Sequence, residues 1–295
     1  MAILPNTTKS ENFNIDPKLI DYVERFNASW QSWTDILGIM RPIKKIPGTR
    51  LRSYKVSVDL NEEAYVEGDE VALSKVNVEE VFQQDLELVP DRIRVTAKAV
   101  KDHGAEIAVR RARSAFLNAT RSKILDEFYA FALTGTLTGS ENTFQMAVSM
   151  AIAKVKDKFK KMRLDYGSVV VFANTLDVGR YLGSAAISTQ TSEGTEYLKN
   201  FLGASTMVIT SEIPEGTVVA IPSENINLYY IDPADGDFQE LGLTYYTSNS
   251  DTSLLGVAQE GVYSHLSGDT HVLYGIKLWA EYLDAIAVIK IGAGE

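Results

Sequence analysis

Residues 52–82, RSYKVSVDLNEEAYVEGDEVALSKVNVEEVF, restrict the possible folds of this chain more than any other stretch. Tyr54, Val56, Val58 and Leu60 alternate with polar residues, and the alternation resumes at Val76 and Val78. That period of two is a strand at each end. The middle surrounds Gly68 with carboxylates: Asp59, Glu62, Glu63, Glu67, Asp69 and Glu70. No run is apolar enough to bury both faces of a strand, so neither strand suits the centre of a sheet. Further alternation at Leu86, Leu88, Ile93 and Val95 extends the excursion over residues 48–94. A hairpin this long with one weakly apolar face leaves an uncovered edge, a liability in a free monomer. Coverage by another subunit would resolve it.

The rest of the chain supplies ordinary cores. After a polar start, residues 16–38 predict a helix: Asp16 can cap it, Pro17 suits its first turn and Gly38 ends it. Phe26, Trp30, Trp33 and Leu37 share one stripe, which either packs on the helix's own domain or docks on a neighbouring chain. The strongest helical signal follows Gly104. Ala105, Ala108, Ala112, Phe116 and Ala119 form a stripe that Ile124, Phe128 and Phe131 extend, and Gly135 closes it. Unbroken from residue 105 to 133, such a helix measures about 43 Å. Arg110, Arg111, Arg113 and Arg121 cluster in it without interleaved aromatics, which favours ion pairing or solvation over nucleic-acid contact.

A second helix follows, with Phe144, Val148, Ala151, Val155, Phe159 and Met162 on one face and Lys158, Lys160 and Lys161 in its last turns. GSVVVFA predicts a strand buried on both faces. NTLDVGRYLG predicts a short helix capped by Asn174 or Thr175, and STMVIT, TVVAIP and NINLYYI predict further strands. Residues 136–232 thus form a candidate α/β domain. The tail alternates to its end in AIAVIKI and is expected to return as strands beside the long helix.

Chemistry is hard to place. The 295 residues carry a net charge of −10 and no Cys, which removes disulfides, thiolates and Cys-based zinc sites, and no basic stripe for phosphate contact stands out. No apolar stretch approaches a membrane span and the N-terminus lacks a signal-peptide pattern, so a soluble cytoplasmic product is expected. His265 and His271 are six apart, the wrong spacing for two ligands on one helical face. GTLTGSENT has Ser140 where a phosphate loop needs Lys, and DPADGD has Leu243 where a calcium loop needs its bidentate Glu. No nucleophile elbow occurs, and the acidic centre near residue 67 lacks the apolar cover that would separate carboxylate pKa values. No catalytic, cofactor or metal residue is therefore assigned.

The order of parts, with AYVEGDEVALSK in the loop, TAKAVKDHGAEIAVRRARSAFLNATRSKIL entering the long helix, and VVVFANTLDVGRYLG and VITSEIPEGTVVAIPSENINLYYID in the α/β segment, resembles tailed-bacteriophage major capsid proteins. Encapsulin shells share that fold. The resemblance covers nearly the whole chain, in architecture rather than in a chemical motif. It implies an α+β capsid fold divided into an N-terminal arm with an amphipathic helix (1–47), an extended β-hairpin loop (48–94), a peripheral domain with a spine helix (95–135 and 236–295) and an inserted axial domain (136–235).

It further implies a major head protein, not an enzyme, that self-assembles as pentamers and hexamers into an icosahedral shell around double-stranded DNA. The shell would be assembled in the bacterial cytoplasm and reside in the virion, without cofactors. The spine helix begins too early for an N-terminal scaffolding domain, so a separate scaffolding protein and a portal are the expected partners. Residues expected at intersubunit contacts are Trp30 and Trp33 on the arm, Arg50, Arg52, Glu67, Asp69, Glu70 and Lys75 in the loop, and Arg110, Arg111 and Arg113 on the spine. Some members cross-link through Lys–Asn isopeptide bonds, for which Lys75 is a conceivable donor that nothing else in the sequence singles out. The alternatives are an encapsulin-type compartment subunit, a cytoplasmic enzyme with an unrecognised site, and a binding module with an acidic loop.

Overall fold

The structure is a computed structural model that describes residues 17–38, 42–61, 73–183, 189–192, 195–234, 237–240, 242–247 and 253–292. Helix α1 (Pro17–Leu37) stops at Gly38, whose φ of 71° only glycine adopts freely. The short strand β1 (Ile43–Lys44) leads into β2 (Thr49–Asp59) and β3 (Lys75–Leu86), a two-stranded antiparallel hairpin. Then come β4 (Val89–Thr96), α2 (Ala97–His103) and the long α3 (Ala105–Ala132). Gly104, with φ of 81°, breaks α2 from α3. Nothing in the sequence reading anticipated α2, whose N-terminus is capped by the Thr96 hydroxyl accepting from the Ala99 amide at 3.3 Å.

The middle of the chain folds as β5 (Leu137–Glu141), α4 (Phe144–Met162), β6 (Val169–Asn174), α5 (Thr175–Leu182), β7 (Gln190–Ser192), β8 (Thr195–Phe201), β9 (Ala204–Thr210) and β10 (Thr217–Pro222). Asn174 caps α5 as expected, accepting from the Leu176 amide at 2.8 Å. The segment read as a phosphate-loop echo is strand β5. The tail gives β11 (Ile226–Tyr230), the single turn α6 (Asp237–Glu240), β12 (Leu255–Val262), β13 (Ser267–Tyr274), β14 (Ile276–Ala280) and β15 (Ala287–Ile291).

A seven-stranded mixed sheet, ordered β5-β15-β10-β6-β9-β8-β7, separates two cores. Val169, Val171, Ala173, Val218 and Ala220 point into the core beneath α4. Their alternate neighbours Val170, Phe172, Val219 and Ile221 point into the core shared with α1 and the C-terminal half of α3. Cover on both faces explains why VVVFA and TVVAI lack alternation.

Three expectations are corrected here. The tail does not return wholly to the long helix: β15 lies between β5 and β10, inside the α/β sheet, so residues 236–295 do not form one unit with α3. An apolar strand, AVI, is worth more in the middle of a two-faced core than at an edge. The hairpin ends at Leu86, paired with Thr49, whereas β4 pairs with β13, so the excursion is shorter than residues 48–94. Lastly, among the described side chains of its stripe α3 fully buries those from Ile124 onward, whereas Phe116 is half-buried against the main core and Ala119 is exposed. Its N-terminal half runs past the main core, beside the three-stranded sheet β12-β13-β4.

Gly135 was expected to close the long helix. Its role is a close approach instead, since a Cβ there would lie 2.6 Å from Ile286 Cγ2 and 2.7 Å from the Ile286 carbonyl oxygen.

Candidate assembly surfaces

Among the described residues, the β2–β3 hairpin is fastened to the body at its base. Leu51, Ser53 and Leu86 are buried there. The Ser53 hydroxyl donates to the Ala280 carbonyl at 2.6 Å, the Tyr54 amide to Glu281 at 2.8 Å, and the Trp279 indole to Arg52 at 3.3 Å. Trp279 stacks on Phe131 of α3 with centroids 4.5 Å apart, and Phe82 closes on both rings at 5.5 and 5.6 Å. Register slips between Ser53 and Tyr54: Ser53 faces Phe82, Tyr54 faces Glu80, and Val81 is left as the bulged residue. A bulge bends a ribbon and strengthens its twist, and this one sits where the hairpin leaves the body.

Beyond the bulge, six residues of β2 carry the stem roughly 20 Å outward at ~3.4 Å per residue. Every described residue of β3 in this part is exposed, including Val76 at 61 % and Val78 at 60 %. Among the described residues the stem is a sheet of two strands. An isolated two-stranded ribbon is marginally stable in water. Cross-strand ion pairs, Arg50 to Asp85 at 3.0 Å and Arg52 to Glu80 at 3.1 Å, brace only its lower half.

The second projecting surface is the sheet β12-β13-β4. Asp269 on β13 is fully covered by neighbouring side chains and accepts two hydrogen bonds from Arg94, at 2.8 and 2.7 Å, with Arg92 at 3.6 Å. The hydrogen-bonded Arg94 guanidinium holds the Asp269 carboxyl below the usual carboxylate range. The β12–β13 tip exposes Tyr263 at 93 % and Leu266 at 70 %, with Leu266 at a positive φ of 44°. In the neighbouring sheet, on β14, burial lowers the pKa of the Lys277 ammonium, against the opposing pull of Glu127 at 3.8 Å.

The sequence-expected contact residues fall into three groups. Arg50, Arg52 and Lys75 lie on the hairpin and are exposed, as is Arg111 on α3. Glu67, Asp69 and Glu70 lie outside the described residues, as does the side chain of Arg110. Trp30, Trp33 and Arg113 are corrections. Both tryptophans are 1 % exposed, packed with Val23, Phe26 and Leu37 in the chain's own core, which decides the two readings of α1 for the intrachain one. Arg113 is buried and donates to Gln259 at 3.1 Å. Large apolar rings and the aliphatic stem of an arginine gain from packing against the fold's own core.

Sequence reasoning missed Phe82 and Trp279 as the hairpin's anchor, because their partner Phe131 is distant in the chain. It also missed the tip, where Tyr263 and Leu266 occupy a turn without glycine.

No protein-family model and no curated protein sequence matches the chain. Solved structures do. The capsid asymmetric unit of cyanophage A-1(L) superposes with a TM-score of 0.56 at 13 % identity, over 88 % of this chain and 93 % of that one. The mature capsid of bacteriophage PhiM1 superposes at 0.50 and 7 % identity, over 84 % and 85 %. This chain has the phage capsid fold. The SrpI encapsulin of Synechococcus elongatus PCC 7942 aligns at 0.49 and 11 % identity, over 97 % and 92 %.

Proposed function

We propose that the chain is the major capsid protein of a tailed bacteriophage, assembling as pentamers and hexamers into an icosahedral shell around double-stranded DNA. The observation that carries this reading is the β2–β3 stem, a two-stranded arm whose Val76 and Val78 pair across the ribbon with Val58 and Val56 yet stay largely exposed. In a ring of subunits the arm of one copy lies on its neighbour, which supplies the burial and strand cover that a free ribbon lacks. The seven-stranded sheet with α4 and α5 acts as the axial unit, and α3 with the three-stranded sheet as the peripheral one. A separate scaffolding protein and a portal complete the assembly, and the virion is its final location. A shell wall with a charge of −10 per subunit repels packaged DNA rather than binding it.

Electron microscopy with light scattering on the purified chain, alone and with candidate scaffolding protein, tests the proposal. Shells, tubes or five- and six-membered rings are expected, with a diameter that distinguishes a genome-sized capsid from a small cargo compartment. A monodisperse monomer or dimer under every condition would overturn it.

A further inference from the structure

Gly104 alone separates α2 from α3, ending one helix and starting the other. The hydrogen bonds that flank it are already helical: the Gly104 amide donates to the Val100 carbonyl at 2.9 Å, and the Ala108 amide to the Gly104 carbonyl at 3.1 Å. The bonds that would complete the i→i−4 ladder run from the amides of residues 105–107 to the carbonyls of residues 101–103. What interrupts them is the Gly104 backbone, at φ 81° and ψ 143°, a region that side-chain-bearing residues rarely enter. Packing does not impose that conformation, since a Cβ on Gly104 would meet nothing within 4 Å. Nor is α2 held by a core, because none of its residues is buried. With helical angles at Gly104, the two helices would form one rod of about 54 Å.

A second observation lies at the other end of α2. The Thr96 hydroxyl caps the helix, and the Ala97 amide donates to the Leu266 carbonyl at 2.7 Å, which ties α2 to the β12–β13 tip. Gly261 and Gly268 face each other across β12 and β13 at the base of that tip, and a Cβ on either would meet nothing within 4 Å. Glycine in a strand interior weakens it, so the tip can bend there. Below the glycines, Arg113 of α3 donates to Gln259 of β12 at 3.1 Å and keeps the sheet and α3 together.

We propose that Gly104 is a two-position hinge. In the second position it takes helical angles, α2 fuses with α3, and the tip carrying Tyr263 and Leu266 swings with α2 about Gly261 and Gly268. The completed ladder favours the fused position, while the freedom of Gly104 and the ties at Thr96 and Ala97 favour the bent one. Both are populated in the free subunit. Only the use of the hinge, presenting the exposed tip to neighbouring copies in two orientations, rests on the shell reading.

The chain has no Cys, so Lys98→Cys/Ala119→Cys places a unique pair of spin labels at exposed sites on α2 and α3. Pulsed electron resonance on the unassembled subunit tests the hinge whether or not shells form. It is expected to show a shorter main distance and a minor one near the backbone separation of the fused helix, about 32 Å. Gly104→Ala, which disfavours the present angles and favours helix, is expected to make the long distance dominant and to raise helical ellipticity. Gly261→Thr/Gly268→Thr, which stiffens the tip, is expected to shrink the long population. A single short distance in Gly104→Ala, with a lowered melting temperature, would overturn the hinge and leave Gly104 as a plain helix break. If that variant does not fold, a single short distance in the wild-type background overturns the hinge in the same way. Unchanged populations in Gly261→Thr/Gly268→Thr would refute the part of the tip in the motion.

Discussion

The valines of the β3 stem give the sharpest test of how this chain uses its hairpin. Val76 and Val78 keep 61 % and 60 % of their surface in the isolated subunit. Burying a whole Val side chain is worth about 2 kcal/mol, so covering the remaining three-fifths of both is worth about 2.5 kcal/mol per contact. Val76→Ser/Val78→Ser should therefore weaken each arm contact roughly 60-fold. The isolated subunit should scarcely notice, because substitutions at exposed sites usually change stability by less than about 0.5 kcal/mol. Light scattering against protein concentration, with urea unfolding of the unassembled subunit, separates the two effects. The expected result is an assembly threshold shifted to much higher concentration with an unchanged unfolding midpoint. An unchanged threshold would refute the docking role of the arm. A clearly lowered midpoint would show instead that the valines belong to the subunit's own core.

Two further outcomes follow from the fold. Gly135→Ala drives a Cβ to within 2.6 Å of the Ile286 side chain and 2.7 Å of its carbonyl oxygen, so it should cost about 1–3 kcal/mol by overpacking where α3 meets the sheet; an unchanged melting temperature would contradict that contact. Asp269, with its pKa held down by the Arg94 hydrogen bonds, contributes stability that is present above the unfolded carboxylate value near 3.9 and is lost as pH falls through the lower folded value. Urea midpoints should therefore separate wild type from Asp269→Asn at pH 7 and converge below about pH 4; a gap of constant size across that range would rule out the ionised carboxylate as its source.

Much of the candidate assembly surface was visible in the sequence. The alternation at Tyr54, Val56 and Val58 and again at Val76 and Val78 announced two paired strands that no core could absorb, and the register confirms the pairing of Val58 with Val76 and Val56 with Val78. What the sequence left open was which exposed-looking stripe is truly free. Trp30 and Trp33 have the same helical spacing whether they meet a neighbour or their own sheet. Only the position of that sheet, which places both in one cluster with Phe172, Val219 and Leu255, decided it.

By itself the sequence determined the local elements. The 3.6-residue period produced α4, Asn174 produced the start of α5, and unbroken apolar runs produced β6 and β10, because each depends on neighbours a few residues away. Tertiary structure decided which strand sits beside which. It set β15 between β5 and β10, took β4 from the hairpin to β13, left the first half of α3 largely outside the main core and gathered Phe82, Phe131 and Trp279 at the arm's base. Those choices rest on contacts between residues tens to hundreds of positions apart. Hydrophobic pattern fixes which face of a strand is buried, while only three-dimensional packing selects the neighbour that buries it.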